Sequence, residues 1–330
     1  MPEAEWMILA VVAAALVFDF TNGWNDSANA VATVVSTRVL SPLAAVSFSA
    51  TLNVIGAFYS TAVAKTIGSD ILDPNVVTQQ VVLAALVGGI AWNTAMTLAG
   101  LPISASHALL GGMVGAALVH GGSGTLQWAG IRLILIAMIL SPAVGMVFGY
   151  LFIMALRLIF GGARPAPVNA LFRRLQLLSA GWMSFSHGTN DAQKAMGIIT
   201  LALYSGGYID SIEVPSWVIV ACALAMGLGT MVGGWRVIRT LGMRMLHMEP
   251  VHGFAAETGA ALVLTFTAAT GVPVSTTHTI TGAILGVGAS SGFNAVRWGI
   301  AGKIVYAWLF TLPGSGIVAA LCYALLRALT

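Results

Sequence analysis

The chain alternates between long apolar stretches and short polar breaks. A helix needs about 20 apolar residues to cross a hydrocarbon layer of ~30 Å. The stretches that meet this length begin near Trp6, Leu43, Val76, Ile131, Phe172, Ser216, Gly253 and Gly299. Shorter apolar pieces follow Pro102 and Pro273. The pattern predicts an all-α polytopic membrane protein.

Composition agrees with this prediction. Hydrophobic residues make up 58% of the 330-residue chain and charged residues 8%, against roughly 25% charged residues in soluble proteins. This balance excludes a sizeable soluble domain, and a formal charge of +3 does not suggest a nucleic-acid partner. Cys222 and Cys322 lie in apolar runs and form no metal or disulfide pattern. Glu3 and Glu5 precede the first apolar run without a basic residue, so we expect no cleaved signal peptide.

Basic residues cluster in two places and predict the orientation. The first cluster consists of Arg157, Arg164, Arg173 and Arg174, and the second of Arg236, Arg239 and Arg244. Because Lys and Arg are enriched in cytoplasmic loops, we expect both clusters inside the cell. The acidic turns Lys65–Asp73 and Asp210–Glu213 then fall outside. The expected location is the plasma membrane, with several passes and lipid around the helices.

Two motifs recur in the same order. Gly23–Ala30 (GWNDSANA) returns as Gly188–Ala195 (GTNDAQKA), an offset of 188 − 23 = 165. Pro102–His107 (PISASH) returns as Pro273–His278 (PVSTTH), an offset of 273 − 102 = 171. Two ordered matches at nearly one offset indicate an internal duplication.

The Pro-Ser motifs suggest how the two halves are built. If each motif is the tip of a re-entrant helical hairpin, 76–119 enters and leaves from outside and 253–289 from the cytoplasm. The prediction is two inverted-topology repeats, each with about three spanning helices and one re-entrant hairpin. They cover 1–160 and 172–330, joined by a cytoplasmic linker at 161–171. This architecture is typical of secondary transporters, although Pro-Ser motifs lying between full spans would leave the same charge pattern.

Asp26 and Asp191 are ionisable residues within predicted spans, where charge is costly and usually functional. Each follows an Asn and a Gly, and we expect Gly23 and Gly188 to let the helix unwind. Amide, carboxylate and freed carbonyl oxygens suit small hard cations. The alternative is helix N-capping. The predicted coupling-cation or proton-relay residues are Asn25, Asp26, Asn190, Asp191 and Glu257. If Na⁺ is the coupling ion, Asp26 and Asp191 are the metal ligands.

The Pro-Ser motifs carry a different chemistry. A Pro starts each half-helix, and the free N–H groups and positive end of a helix N-terminus bind anions. Two such ends facing each other would surround a tetrahedral oxyanion, whereas ordinary capping is the alternative. The predicted anion-binding residues are Ser104, Ser106, His107, Ser275, Thr276, Thr277 and His278. The two histidines could instead exchange a proton or only hold the hairpin tips.

Other membrane-embedded polar residues receive supporting roles. Asp19 has no acidic counterpart in the second half and is assigned to the surroundings of the site. His187 lacks a repeat partner, which favours a structural role. Lys194 is expected to pair with an aspartate or with the substrate. Glu257 is predicted as a coupling-ion or proton site, with burial against a basic residue as the alternative.

The paired Gly-x-Asn-Asp motifs and the paired Pro-x-Ser-x-Ser/Thr-His motifs resemble the signatures of the inorganic phosphate transporter (Pit) family. The resemblance extends over nearly the whole chain in order and spacing. The second Gly-x-Asn-Asp motif, with Gln193 and Lys194, resembles the form found in the bacterial, low-affinity branch of this family. The resemblance implies uptake of inorganic phosphate driven by an H⁺ or Na⁺ gradient, with Mg²⁺ or another divalent cation carried as a phosphate complex in some members.

We therefore expect a secondary active transporter that imports inorganic phosphate by cation symport through alternating access. Phosphate would lie between the two half-helix N-termini at the midplane. No cofactor is expected, arsenate should compete, and a homodimer is left open. The alternatives are another oxyanion such as sulfate, an intramembrane phosphatase-type enzyme, or a passive channel. An enzyme is disfavoured because the chain has no His-Glu-x-x-His helix or Asp-rich metal run.

Overall fold

The computed structural model describes residues 2–70, 77–272 and 274–329, and in these residues every regular element is helical. Pro273 of the second predicted tip and 71–73 of the first acidic turn lie outside them. The helices are α1 Pro2–Ser36, α2 Pro42–Ala57, α3 Ala62–Asp70, α4 Gln79–Ala99, α5 Ala105–Gly121, α6 Trp128–Phe160, α7 Pro165–Ser205, α8 Ser216–Val232, α9 Trp235–Arg239, α10 Pro250–Thr270, α11 Thr276–Ala289 and α12 Trp298–Leu329. A π-helical turn, Thr240–Arg244, continues α9.

Helices α1, α4, α6 and α12 are long and apolar enough to cross a membrane. A fifth crossing forms if α8 and the bent segment Trp235–Arg244 are counted as one span, with a 60° bend between them. The prediction of an all-α, multi-pass membrane protein is confirmed. Several predicted starts agree with the helices to within three residues, including Leu43, Ile131, Ser216 and Gly299.

The predicted linker at 161–171 is shorter in the structure. Helix α7 begins at Pro165, so only 161–164 separate it from α6. Pro165 occupies the first helical position, where its missing N–H costs nothing and its fixed φ favours the helix. The proline that suggests a break therefore starts the next helix.

Gly23 and Gly188 do not unwind their helices, because α1 and α7 are continuous through both residues. A Cβ on Gly23 would overlap the Met226 carbonyl of α8, and one on Gly188 would overlap the Asn53 carbonyl of α2. Small residues permit this close backbone approach between membrane helices. The expected freed carbonyl ligands are therefore absent from these two positions.

Helices α4 and α5 form a hairpin along α12. Trp308 donates from Nε1 to the Pro102 carbonyl at 3.0 Å, ten residues or about 15 Å into α12. His120, at the end of α5, bonds Tyr323 at 2.6 Å, and Trp92 of α4 donates to Thr311 at 3.1 Å. Both arms therefore run towards the C-terminal end of α12, while the tip lies near its middle.

Helices α10 and α11 form the equivalent hairpin along α6. His278 Nδ1 lies 3.2 Å from the Met138 carbonyl, again ten residues into the neighbouring helix. Phe254 of α10 contacts Phe152, and Ser290 accepts from Arg157 at 2.6 Å. The tip is near the middle of α6 and both arms run towards its C-terminal end.

Contacts along α1 show which hairpin meets this helix at each position. Phe18 packs on Gly89 in an arm of the first hairpin. Asn25 then bonds Thr97 near the first tip, and Asn29 bonds Thr277 at the second. Farther along, α1 reaches the α10 arm of the second hairpin. The two hairpins thus reach the centre from opposite ends of α1.

Candidate functional site

A cluster of charged side chains lies where the hairpin tips meet the middle of α1 and α7. Asp26 on α1 and His187, Asp191 and Lys194 on α7 are all buried. Lys194 Nζ lies 2.9 Å from Asp191 Oδ2. His187 Nε2 lies 3.5 Å from that oxygen and 4.0 Å from Asp26 Oδ2. The expected pairing of Lys194 with an aspartate is the one observed.

Three residues of this cluster could hold a metal ion. One ligand atom each from Asp26, His187 and Asp191 lies within 4.8 Å of the others. Asp26 Oδ2 and Asp191 Oδ1 have no hydrogen-bond partner in the described part of the chain. Carboxylate and imidazole groups are common ligands of metal ions. The carboxylates could also bind a proton.

Hydroxyl groups of the second tip donate to both aspartates. Thr277 Oγ1 donates to Asp26 Oδ1 at 2.9 Å, and Thr276 Oγ1 donates to Asp191 Oδ2 at 3.1 Å. Asn29 donates in turn to Thr277 at 3.1 Å. The residues predicted for the anion and those predicted for the cation are therefore in direct contact.

The predicted serine ligands cap the half-helices. Ser104 Oγ accepts from the His107 N–H, and Ser275 Oγ accepts from the His278 N–H, each at 3.2 Å. Ser106 is directed instead to the opposite tip, where its hydroxyl is 3.5 Å from the Val274 carbonyl. The capping alternative thus holds for Ser104 and Ser275, while both helix N-termini still point at the centre.

The two tips also meet through their histidines. The ring centroids of His107 and His278 are 4.6 Å apart, and the His278 ring is 3.8 Å from that of Trp308. His107 Nδ1 and His278 Nε2 have no hydrogen-bond partner among the described residues. Each ring therefore keeps one nitrogen available to a substrate oxygen.

The two asparagines hold the hairpins against α1 and α7. Asn25 donates to Thr97 at 2.8 Å and accepts from the Ile103 N–H at 3.4 Å. Asn190 donates to the Leu264 carbonyl at 2.9 Å. Both side-chain groups of Asn25 are thus engaged, while Asn190 Oδ1 keeps no partner in the described residues.

Glu257 lies apart from the two aspartates. It is fully buried on α10 and accepts from Thr33, Ser179 and Gln176. Thr33 is seven residues beyond Asp26, about 10 Å along α1. The predicted relay residues therefore divide into a central group and a separate site on the side of the second hairpin. The expected alternative, a basic partner for Glu257, is not the environment observed.

His187 belongs to the central cluster, although the sequence favours a structural role. Its Nδ1 lies 3.3 Å from Asn53 Oδ1, and its Nε2 faces Asp191 on the next turn. The i,i+4 spacing of His187 and Asp191 is the signal that indicates a shared helix face. Repeat symmetry pointed away from it because Asn22 stands at the equivalent position in α1.

Buried, repeat-related aspartates beside two helical hairpin tips, in a bundle of membrane-length helices, define a membrane transport protein. The chain belongs to the phosphate transporter family, whose model matches residues 22–168 and 161–319. The predicted resemblance is confirmed. As expected of a protein that is not an enzyme, its relatives are named as transporters.

A probable low-affinity inorganic phosphate transporter of Rhizobium meliloti (strain 1021) is 47% identical over 319 residues, with 96% of each chain covered. One of Bacillus subtilis (strain 168), with the same name, is 44% identical over 325 residues and 97% of each chain. A solved structure described as the sodium-dependent phosphate transporter aligns with a TM-score of 0.88 at 23% identity, covering 98% of this chain and 100% of that one. That likeness shows that the fold is shared.

Proposed function

We propose that the chain imports inorganic phosphate by cation symport through alternating access. The proposal assigns 1–160 and 172–330 to inverted repeats, with the basic linker in the cytoplasm. Family membership and the bacterial relatives support phosphate as the substrate. The approach of the two hairpins from opposite ends of α1 supports inversion, because each hairpin would then open and close one side of the site.

Phosphate is placed between the N-termini of α5 and α11. The free N–H groups of both half-helices carry the positive ends of the helix dipoles. Ser106, Thr276 and Thr277 add hydroxyl donors, and His107 and His278 add ring nitrogens. Ser104 and Ser275 position the half-helices by capping them. The coupling cation is placed at Asp26 and Asp191, with His187 beside them, because a phosphate dianion at the midplane is prohibitively costly without accompanying positive charge.

The observation that carries the coupling is the donation of Thr276 and Thr277 to Asp191 and Asp26. A hydroxyl has one proton to donate. When a cation or proton occupies the carboxylates, the two threonine hydroxyl groups no longer need to donate to them. Each hydroxyl can then rotate and donate its hydrogen bond to phosphate. Cation binding thereby prepares the anion site, which is the physical requirement of symport. Glu257 is a second cation or proton station on the side of the second hairpin.

Phosphate uptake into proteoliposomes with separately imposed H⁺ and Na⁺ gradients, with and without Mg²⁺, tests the function. We expect accumulation above equilibrium that stops when the driving gradient collapses, whereas a passive channel only equilibrates. Arsenate should compete at concentrations similar to phosphate, and sulfate should not, because hydrogen phosphate and hydrogen arsenate carry an O–H that a free carboxylate oxygen such as Asp26 Oδ2 can accept, whereas sulfate has no proton to donate. Equal competition by sulfate would identify a general oxyanion transporter instead.

Thr277→Val tests the hydroxyl link. The variant keeps the shape of the side chain and removes the only donor to Asp26 Oδ1 among the described residues. We therefore expect the factor by which the coupling cation increases phosphate affinity to fall about tenfold, which corresponds to ~1.4 kcal/mol. Thr277→Ser keeps the hydroxyl and is the matched control. Phosphate affinity is measured at several cation concentrations. If both variants keep the wild-type cation dependence, this coupling is wrong.

A further inference from the structure

A second group of buried polar side chains lies outside the cluster of Asp26 and Asp191. Asp19 is on α1, seven residues or about 10 Å before Asp26. Its side chain is 0% exposed, and neither carboxylate oxygen has a hydrogen-bond partner in the described residues. An isolated charge in such a place is strongly unfavourable unless a cation or a proton compensates it.

Two asparagines accompany this carboxylate. Asn22 and Asn93 are 0% exposed, and neither the oxygen nor the nitrogen of either side-chain amide has a partner in the described residues. The Asn22 amide approaches the Asp19 carboxylate without completing a hydrogen bond. Buried polar side chains normally have partners, so two amides and one carboxylate without partners indicate a common missing partner.

The packing of α1 on α4 brings Asn93 to the same level. Phe18 meets Gly89, and Asn25 bonds Thr97, so the two helices run side by side in a fixed register. Asn93 lies midway between Gly89 and Thr97 on one helix face, and this register places it at the level of Asn22. The group therefore offers four oxygen atoms: both from Asp19 and one from each amide.

Charged groups on the neighbouring helices also act on Asp19. Asp191 and Lys194 face it from α7, and the Cys222 thiol faces it from α8. Asp191 and Lys194 form an ion pair with each other and largely cancel at a distance. A charged Asp19 therefore has no partner of its own among the described residues, and a bound cation would balance it.

We propose that Asp19, Asn22 and Asn93 form a Na⁺ site on the path of the coupling cation to Asp26. This inference rests on the proposed function, because it names the coupling ion of that cycle and a station for it. Carboxylate and amide oxygens are ligands of small hard cations. A proton on Asp19 supplies one donor, which a single amide oxygen can accept, whereas a metal ion can bind the oxygens of all three side chains at once.

The position of the site agrees with this role. On α1 it lies between Asp26 and the N-terminal end, which is the end from which the first hairpin reaches the centre. In the proposed orientation that end faces outside, so a cation entering from there meets Asp19 before Asp26.

Binding of radiolabelled Na⁺ to purified protein tests the site without any transport measurement. We expect Asp19→Asn and Asn93→Leu each to lower the bound Na⁺ by about one ion per chain. Ser49→Ala, which removes another buried hydroxyl without a partner in the described residues, is the matched control and should bind as wild type. Asp19→Glu keeps the charge and moves it, so it should change the preference between Li⁺ and Na⁺.

Unchanged Na⁺ binding in both Asp19→Asn and Asn93→Leu would overturn the site, and so would the absence of Na⁺ binding in the wild type. A third result would also overturn the Na⁺ assignment. If phosphate uptake by the wild type is driven by a proton gradient alone, and Asp19→Asn abolishes that uptake, then Asp19 binds a proton and not Na⁺. Variants that do not fold are replaced by Asp19→Glu, where an unaltered Li⁺ to Na⁺ preference is the contradicting result. Absence of phosphate uptake by the wild type under every gradient would instead refute the proposed function and leave the binding result standing.

Discussion

Asp26→Asn and Asp191→Asn are each expected to abolish gradient-driven phosphate accumulation, with a loss of about a hundredfold or more. Each tenfold loss corresponds to ~1.4 kcal/mol. Asparagine keeps the size and the polar contacts with the threonine hydroxyls but removes the negative charge that holds the coupling cation. Without the cation, the cost of bringing phosphate to the midplane is not compensated. Uptake into proteoliposomes under an imposed cation gradient measures the loss.

Asp210→Asn is the matched control for charge, since Asp210 is exposed in a polar turn and its variant should transport as wild type. The two aspartates should also differ from each other. Asp191→Asn leaves Lys194 buried without its 2.9 Å partner, and breaking a buried pair costs about 3 to 5 kcal/mol. Adding Lys194→Gln should therefore recover stability in the Asp191→Asn background without recovering transport. Full accumulation by either single variant would contradict the assignment.

Gly115→Val and Gly286→Val are expected to prevent stable folding. A Cβ on Gly115 would overlap the Gly316 carbonyl of α12, and one on Gly286 would overlap the Met146 carbonyl of α6. Overpacking of a core by side chains costs about 1 to 3 kcal/mol. Here the obstacle is helix backbone, which cannot change rotamer, so we expect a larger loss and separation of each hairpin from its neighbouring helix.

Gly302→Val, on α12, is the matched control, because a Cβ there meets nothing within 4 Å. The midpoint of thermal unfolding in detergent and the yield of monodisperse protein measure the effect. Wild-type stability of Gly115→Val and Gly286→Val would show that the hairpins do not depend on these contacts.

Much of the fold could be predicted because its signals are local. The apolar lengths of α1, α6 and α12 identify spans whatever their neighbours are, since the bilayer sets the required length. The recurring motifs likewise draw attention to the aspartates and the half-helices, because both copies keep the same order and nearly the same spacing. Pro165 shows the limit of local signals, since a proline after a polar break is equally compatible with a loop and with the first turn of a helix.

The sequence singles out most of the side chains that meet at the centre, but it does not predict the contacts between them. Sequence predicts an anion site at Thr276 and Thr277 and a cation site at Asp26 and Asp191 as separate features. Their contact joins residues 85 and 251 positions apart, and no local pattern encodes such a distance. The place of His187 in the cluster could not be predicted for the same reason, because it depends on the approach of His187 to Asp26, which lies far away in the sequence.

The sequence by itself determined that this is a multi-pass membrane protein, that two motifs recur along it in the same order, and which carboxylates lie within apolar stretches, because length, order and residue type are properties of the chain. Only the tertiary structure decided that Gly23 and Gly188 serve close packing, that Glu257 stands apart from the aspartates, and that Asp19 shares its surroundings with Asn22 and Asn93. Each of these depends on which helix faces which, and that is settled by the packing of distant segments in three dimensions.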